Sequence, residues 1–92
     1  MQKCLHAIVH GDVQGVSLRD FTRSRAKELS LLGTVQNLPD GTVEICAEGN
    51  EADVRALITS VRTEHSFARI TRIEEVWSEA TGAFTGFNIL KS

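Results

Sequence analysis

Apolar and polar residues alternate along KCLHAIVH, residues 3–10, with Leu5, Ala7 and Val9 on one side and Cys4, His6, Ile8 and His10 on the other. A period of two predicts a strand with one firmly apolar face. GDVQG then breaks the alternation. From Leu18 to Leu31 the period changes: LRDFTRSRAKELSL lacks Gly and Pro and sets Leu18, Phe21 or Thr22, Ala26 and Leu29 at helical spacing. Gly33 is expected to stop that helix, although a glycine at Ser30 would make a cleaner cap.

Residues 34–38, TVQNL, are β-compatible and run into Pro39-Asp40-Gly41, where proline fixes φ and Asp-Gly tolerates positive φ. TVEICAE alternates next, Val43, Ile45 and Ala47 against Glu44, Cys46 and Glu48, so residues 34–48 read as a hairpin. Asn50 is a helix cap, reinforced by Asp53, ahead of Val54, Leu57, Ile58 and Val61 at i, i+3, i+4 and i+7. Ala68 to Trp77 is again strand-like, with Ile70, Ile73 and Val76, and one slip in its alternation predicts a bulge. Phe87 and Ile89 form a last short strand after TGAFTG.

The order is β-α-β-β-α-β. Right-handed crossovers and short connections make an α+β, ferredoxin-like two-layer sandwich the natural solution, a four-stranded antiparallel sheet with two helices on one face. No linker, repeat or low-complexity tract divides residues 1–92, and hydrophobic residues at 41% suffice for one core. That fold hosts many functions, so the site must decide.

Charge narrows the classes. Ten basic and twelve acidic residues leave a formal net charge of −2, which argues against a nucleic-acid binder but leaves room for a small anion site. Four Phe and no Tyr, with no aromatic run in the central strands, also argue against RNA stacking. Apolar runs are too short to span a bilayer, and the N-terminus lacks a signal-peptide pattern, so a cytoplasmic address is expected. Cys4 and Cys46 are too few for a disulfide scaffold and are expected to be free thiols.

GDVQGVSLR, residues 11–19, lies at the first strand-to-helix junction, where backbone N–H groups lack helical partners and the dipole is positive. Gly11 is read as letting the chain turn and Gly15 as letting its backbone approach a ligand, so successive N–H groups form an anion nest. Arg19 opposes the macrodipole in the first helical turn, which makes sense if it clamps a phosphate. The plainer alternative is a glycine-containing loop with a solvated arginine. Asn37 ends the next strand and reads either as a turn residue or as an amide that orients a water.

GDVQGVSLR followed by LLGTVQNLPDGTVEI resembles the acylphosphatase signature, G-x-V-Q-G-V-x-aromatic-R, then G-aromatic-V-x-N and a D-G-x-V-E hairpin. The resemblance spans essentially the whole chain, including AEGNEADV and GFNIL. It implies hydrolysis of acyl phosphates to a carboxylate and inorganic phosphate, with no metal or organic cofactor. By that likeness the backbone amides of Gln14, Gly15, Val16, Ser17 and Leu18 and the Arg19 guanidinium hold the phosphate, or a sulfate in its place. Asn37 positions the water, and the substrate phosphate takes the proton. Fixed donors and orientation are adequate for an activated anhydride.

Two family aromatics are absent, with Leu18 and Thr34 in their places, and Asp12 stands where relatives are often basic. A loosened cradle is the expected consequence. The rival reading is a non-catalytic phosphate-binding regulatory module, which would have no use for Asn37. Cys4, His6, His10 and Cys46 are expected to share the sheet face away from the helices, but His6 and His10 stand roughly 13 Å apart along a strand, too far for one zinc. His65 is expected to be solvated, Trp77 and Phe87 to be core, and Phe84 to be exposed. One core without a heptad pattern favours a monomer.

Overall fold

In the computed structural model, which describes residues 1–65 and 68–90, the predicted elements appear in order. They are β1 (Gln2–Asp12), α1 (Leu18–Glu28), β2 (Leu32–Asn37), β3 (Val43–Asn50), α2 (Glu51–Thr63), β4 (Arg69–Glu79) and β5 (Phe87–Ile89). The sheet order is β4-β1-β3-β2-β5. The first four strands pair antiparallel, as the ferredoxin-like reading requires. The four-strand count needs correction. β5 joins the sheet as a fifth strand, parallel to β2, with Gly33 opposite Phe87 and Val35 opposite Ile89.

Alternation decides which face is buried. Leu5, Ala7 and Val9 of β1, Val35 of β2 and Val43, Ile45 and Ala47 of β3 meet Leu18 and Ala26 of α1 and Val54, Leu57, Ile58 and Val61 of α2 in one core. Each large side chain so buried contributes about 1.5–3 kcal/mol. The two helices touch each other and share this face. Cys4, His6, Ile8 and His10 lie half-buried on the other face, as expected.

Several boundaries move for local reasons. Gly11 and Asp12 belong to β1 and pair with Ile70 and Arg69, so Gly11 is not a turn residue. The slip foreseen in β4 is present: between the pairs His10–Arg72 and Gly11–Ile70, Thr71 is an extra residue, which puts Ile70 and Ile73 on the same side. α1 ends at Glu28 rather than near Leu31. Ser30 adopts φ 58°, and Leu31 N–H bonds the Ala26 carbonyl at 2.9 Å, a left-handed helix stop made without glycine. α2 starts as read, with Asn50 Oδ1 accepting from the Ala52 amide at 3.1 Å.

Four aromatic and histidine expectations divide. Phe87 is core, at 3% exposure. Trp77, on the edge strand β4, is only half-buried, and it stacks against the Arg55 guanidinium, 4.5 Å from the ring centroid. Phe84 is half-buried rather than exposed. His65 is not simply solvated: its Nδ1 accepts from the Ala68 amide at 3.1 Å, and its ring meets Phe21 edge-on at 5.2 Å.

The segment between β4 and β5 is fastened to the open face by Glu48. That side chain accepts from the Thr81 and Gly82 amides at 3.0 and 2.6 Å and from the Thr81 hydroxyl at 2.9 Å. Those amides hold its carboxyl below the usual glutamate value, which lets it remain charged at 5% exposure.

Candidate active site

The β1–α1 junction is built from two left-handed residues. Gly15 has φ 75°, with open space where a Cβ would stand. Ser17, the N-cap of α1, has φ 64° and ψ 21° and gives the helix no side-chain cap. A non-glycine residue in this region costs about 1–2 kcal/mol, and such strain gathers at functional sites. These two residues turn the chain from β1 into the positive N-terminal end of α1.

Arg19 follows in the first turn of α1 and is half-buried. Further along the same helix, Arg23 pairs with Asp20 at 3.4 Å and Arg25 with Glu28 at 3.2 Å. Arg19 pairs with no carboxylate among the described residues. A half-buried guanidinium at a helix N-terminus suits an anion that is not part of the chain.

Asn37 closes β2, opposite Val43. Its Oδ1 is buried and has no hydrogen-bond partner among the described residues. A turn-forming Asn would satisfy that oxygen on its own backbone, so the turn reading loses ground here. The turn is instead held by Asp40, whose Oδ1 accepts from the Thr42 amide at 3.0 Å and hydroxyl at 2.6 Å.

Gln14 ties the two halves together. Its Nε2 donates to the Leu38 and Thr42 carbonyls, both at 2.8 Å, so the side chain bridges the 14–18 loop to the turn that follows Asn37. The sequence reading assigned only the backbone amide of Gln14. Two carbonyls that converge across a hairpin need a register to find them, and periodicity does not supply one.

The departures from the signature have separate outcomes. Leu18 is 1% exposed and packs into the hydrophobic core. Thr34 is half-buried beside Cys46 on the open face, so it does not line the cradle. Asp12 is exposed at the end of β1. Surface depressions border Trp77, one of them among Lys3, Glu51, Arg55 and Glu79, charges already paired with one another. They lie apart from residues 14–19.

Comparison with known proteins settles the family. The acylphosphatase family model matches residues 5–89. The chain belongs to the acylphosphatase family. An acylphosphatase of Frankia casuarinae is 46% identical over 81 residues, covering 88% of this chain and 91% of its own. One from Caldanaerobacter subterraneus is 39% identical, covering 97% and 99%. The crystal structure of the Bacillus subtilis acylphosphatase superposes with a TM-score of 0.90 at 34% identity, over 98% of this chain and 99% of that one. Membership favours an enzyme over the regulatory module.

Proposed function

We propose that this acylphosphatase-family enzyme works through a cradle of the Gln14, Gly15, Val16, Ser17 and Leu18 amides with Arg19, and an attacking water oriented by Asn37. The enzyme hydrolyses acyl phosphates to a carboxylate and inorganic phosphate. The observation that carries the site reading is the buried, unpartnered Asn37 Oδ1, joined to the cradle through Gln14.

The chemistry follows from the donors. The amides and the guanidinium bind the non-bridging phosphoryl oxygens and stabilise the charge that spreads over them as the anhydride bond breaks. Asn37 Oδ1 accepts one hydrogen of the water and turns its lone pair toward phosphorus. The water oxygen bonds to phosphorus, the P–O bond to the acyl group breaks, and the acylate leaves with its electron pair. The water's proton passes to a phosphoryl oxygen, which makes a separate general base unnecessary. Inorganic phosphate or sulfate occupies the same cradle as a ground-state ligand.

We also take residues 1–92 as one domain acting as a monomer in the cytoplasm. One continuous sheet over one core and two free thiols support this. Size-exclusion chromatography at assay concentration checks the monomer.

The test is hydrolysis of an aryl acyl phosphate by wild type, Arg19→Ala and Asn37→Ala, alongside phosphate binding by calorimetry. Arg19→Ala is expected to lose binding and turnover together. Asn37→Ala is expected to lose about 100-fold or more in kcat, as when one transition-state donor is removed, while phosphate affinity stays near wild type. Full activity in both folded variants would overturn the assignment.

A further inference from the structure

The sheet face away from the helices carries a cluster the phosphate site does not use. His6 of β1 stands directly opposite Cys46 of β3, and Glu44 lies two positions before Cys46 on the same face. One imidazole nitrogen, one carboxylate oxygen and the thiol sulfur of these residues lie within 4.8 Å of one another. All three side chains are half-buried. His6 Nε2 and Glu44 Oε2 are 2.8 Å apart.

The surroundings orient these atoms. Gln36 Nε2 donates to Glu44 Oε1 at 2.8 Å, which leaves Oε2 turned to His6. Thr34, the β2 partner of Cys46, stands beside it on the same face. Cross-strand pairing fixes the three Cα positions, so only side-chain rotation separates the present arrangement from a coordinating one.

We propose that His6 Nε2, Glu44 Oε2 and Cys46 Sγ form a zinc site on the open face of the sheet, its fourth position taken by water. The donor set selects the metal. Calcium and magnesium take oxygen ligands, whereas mixed nitrogen, oxygen and sulfur donors suit zinc. Around a tetrahedral zinc, donors about 2.0–2.3 Å from the ion stand roughly 3.3–3.8 Å from each other. The His6–Glu44 contact opens slightly and the thiol closes in. One carboxylate and one thiolate neutralise the ion's charge, which makes a half-buried position tolerable. On binding, the Cys46 thiol releases its proton to solvent, and His6 gives up the Nε2 hydrogen it donates to Glu44 and ligates as the neutral tautomer with its hydrogen on Nδ1. His10, two pleats further along β1, stays outside the set.

This site is independent of the phosphate reading. The test titrates zinc chloride by calorimetry into metal-stripped wild type and the variants Cys46→Ser, His6→Gln, Cys4→Ser and Gln36→Ala. Cobalt(II) absorbance then reports thiolate ligation, and circular dichroism confirms folding. Wild type is expected to bind one zinc per chain and to give a thiolate-to-cobalt band. Gln36→Ala weakens zinc about 10-fold, the usual cost of losing a hydrogen bond that orients a ligand. Cys46→Ser loses the band, and both it and His6→Gln weaken zinc by more than about 100-fold, beyond what a supporting partner costs. Cys4→Ser keeps the band and the affinity. If Cys46→Ser misfolds, His6→Gln with Cys4→Ser decides. Absence of one-to-one binding in wild type, unchanged affinity in folded Cys46→Ser or His6→Gln, or loss of the band in Cys4→Ser would overturn the site.

Discussion

Two glycines of one motif do different work. At Gly11, φ is 127° and an added Cβ would stand 1.9 Å from the Arg69 carbonyl, so the glycine lets β1 and β4 pair across the bulge. At Gly15 an added Cβ meets nothing, and only the left-handed backbone disfavours it. Gly15→Ala should therefore cost about 1–2 kcal/mol of stability, and Gly11→Ala clearly more. Urea unfolding of both variants, with turnover measured on the folded fraction, separates them. Gly15→Ala should lose more activity for each kcal/mol of stability lost, because its backbone is part of the proposed cradle. The need for glycine was legible at both positions. Which need was which was not, since a close approach to β4 exists only once β4 is in place.

At the scale of elements, the β2–β3 turn is the part of the site that pH reaches. The Thr42 hydroxyl, then the Thr42 amide, hold the Asp40 carboxyl below its ordinary 3.8, with a smaller contribution from the charge of His10. A depressed folded pKa means the ionised carboxylate stabilises the fold fully above 3.8, and that stabilisation is lost as pH falls from there through the folded value. Asp40→Asn keeps the shape and removes the charge. Thermal melts should show a small, constant deficit for Asp40→Asn near neutral pH that narrows below about pH 3.8. The effect is small because the group faces water. The turn itself was readable from Pro39-Asp40-Gly41, as was the start of α2 from Asn50. The end of α1 was not, because Ser30 takes the left-handed position that glycine usually marks.

For the molecule as a whole, the two aromatics expected in the core have unequal roles. Phe87 lies beneath α1 at 3% exposure and secures a three-residue strand, while Trp77, on the opposite edge strand, lies under Arg55. Phe87→Ala should cost about 3–5 kcal/mol, a large part of the total stability of a domain this size. Trp77→Ala should cost less than half as much, since the ring is half-exposed and its stacking with Arg55 contributes about 0.5–1 kcal/mol. Chemical denaturation of the two variants checks the order. Both residues sit in strand-like sequence on edge strands, and only the helix lying over β5 tells them apart.

By itself the sequence determined what is local: the period that buries Leu5, Ala7 and Val9, the turn at Pro39-Asp40-Gly41, the cap at Asn50, and the Gly15–Arg19 and Asn37 motifs that mark the family. These depend on neighbours within a few residues, where alternation and backbone preference act directly. The tertiary structure decided what depends on register between distant strands. It set β5 parallel to β2, lodged Glu48 against Thr81 and Gly82, aimed Gln14 at the Leu38 and Thr42 carbonyls, and gathered His6, Glu44 and Cys46 on one face. Alternation assigns each residue a face but names no neighbour across the strand, because that choice is made by the pairing of the whole sheet.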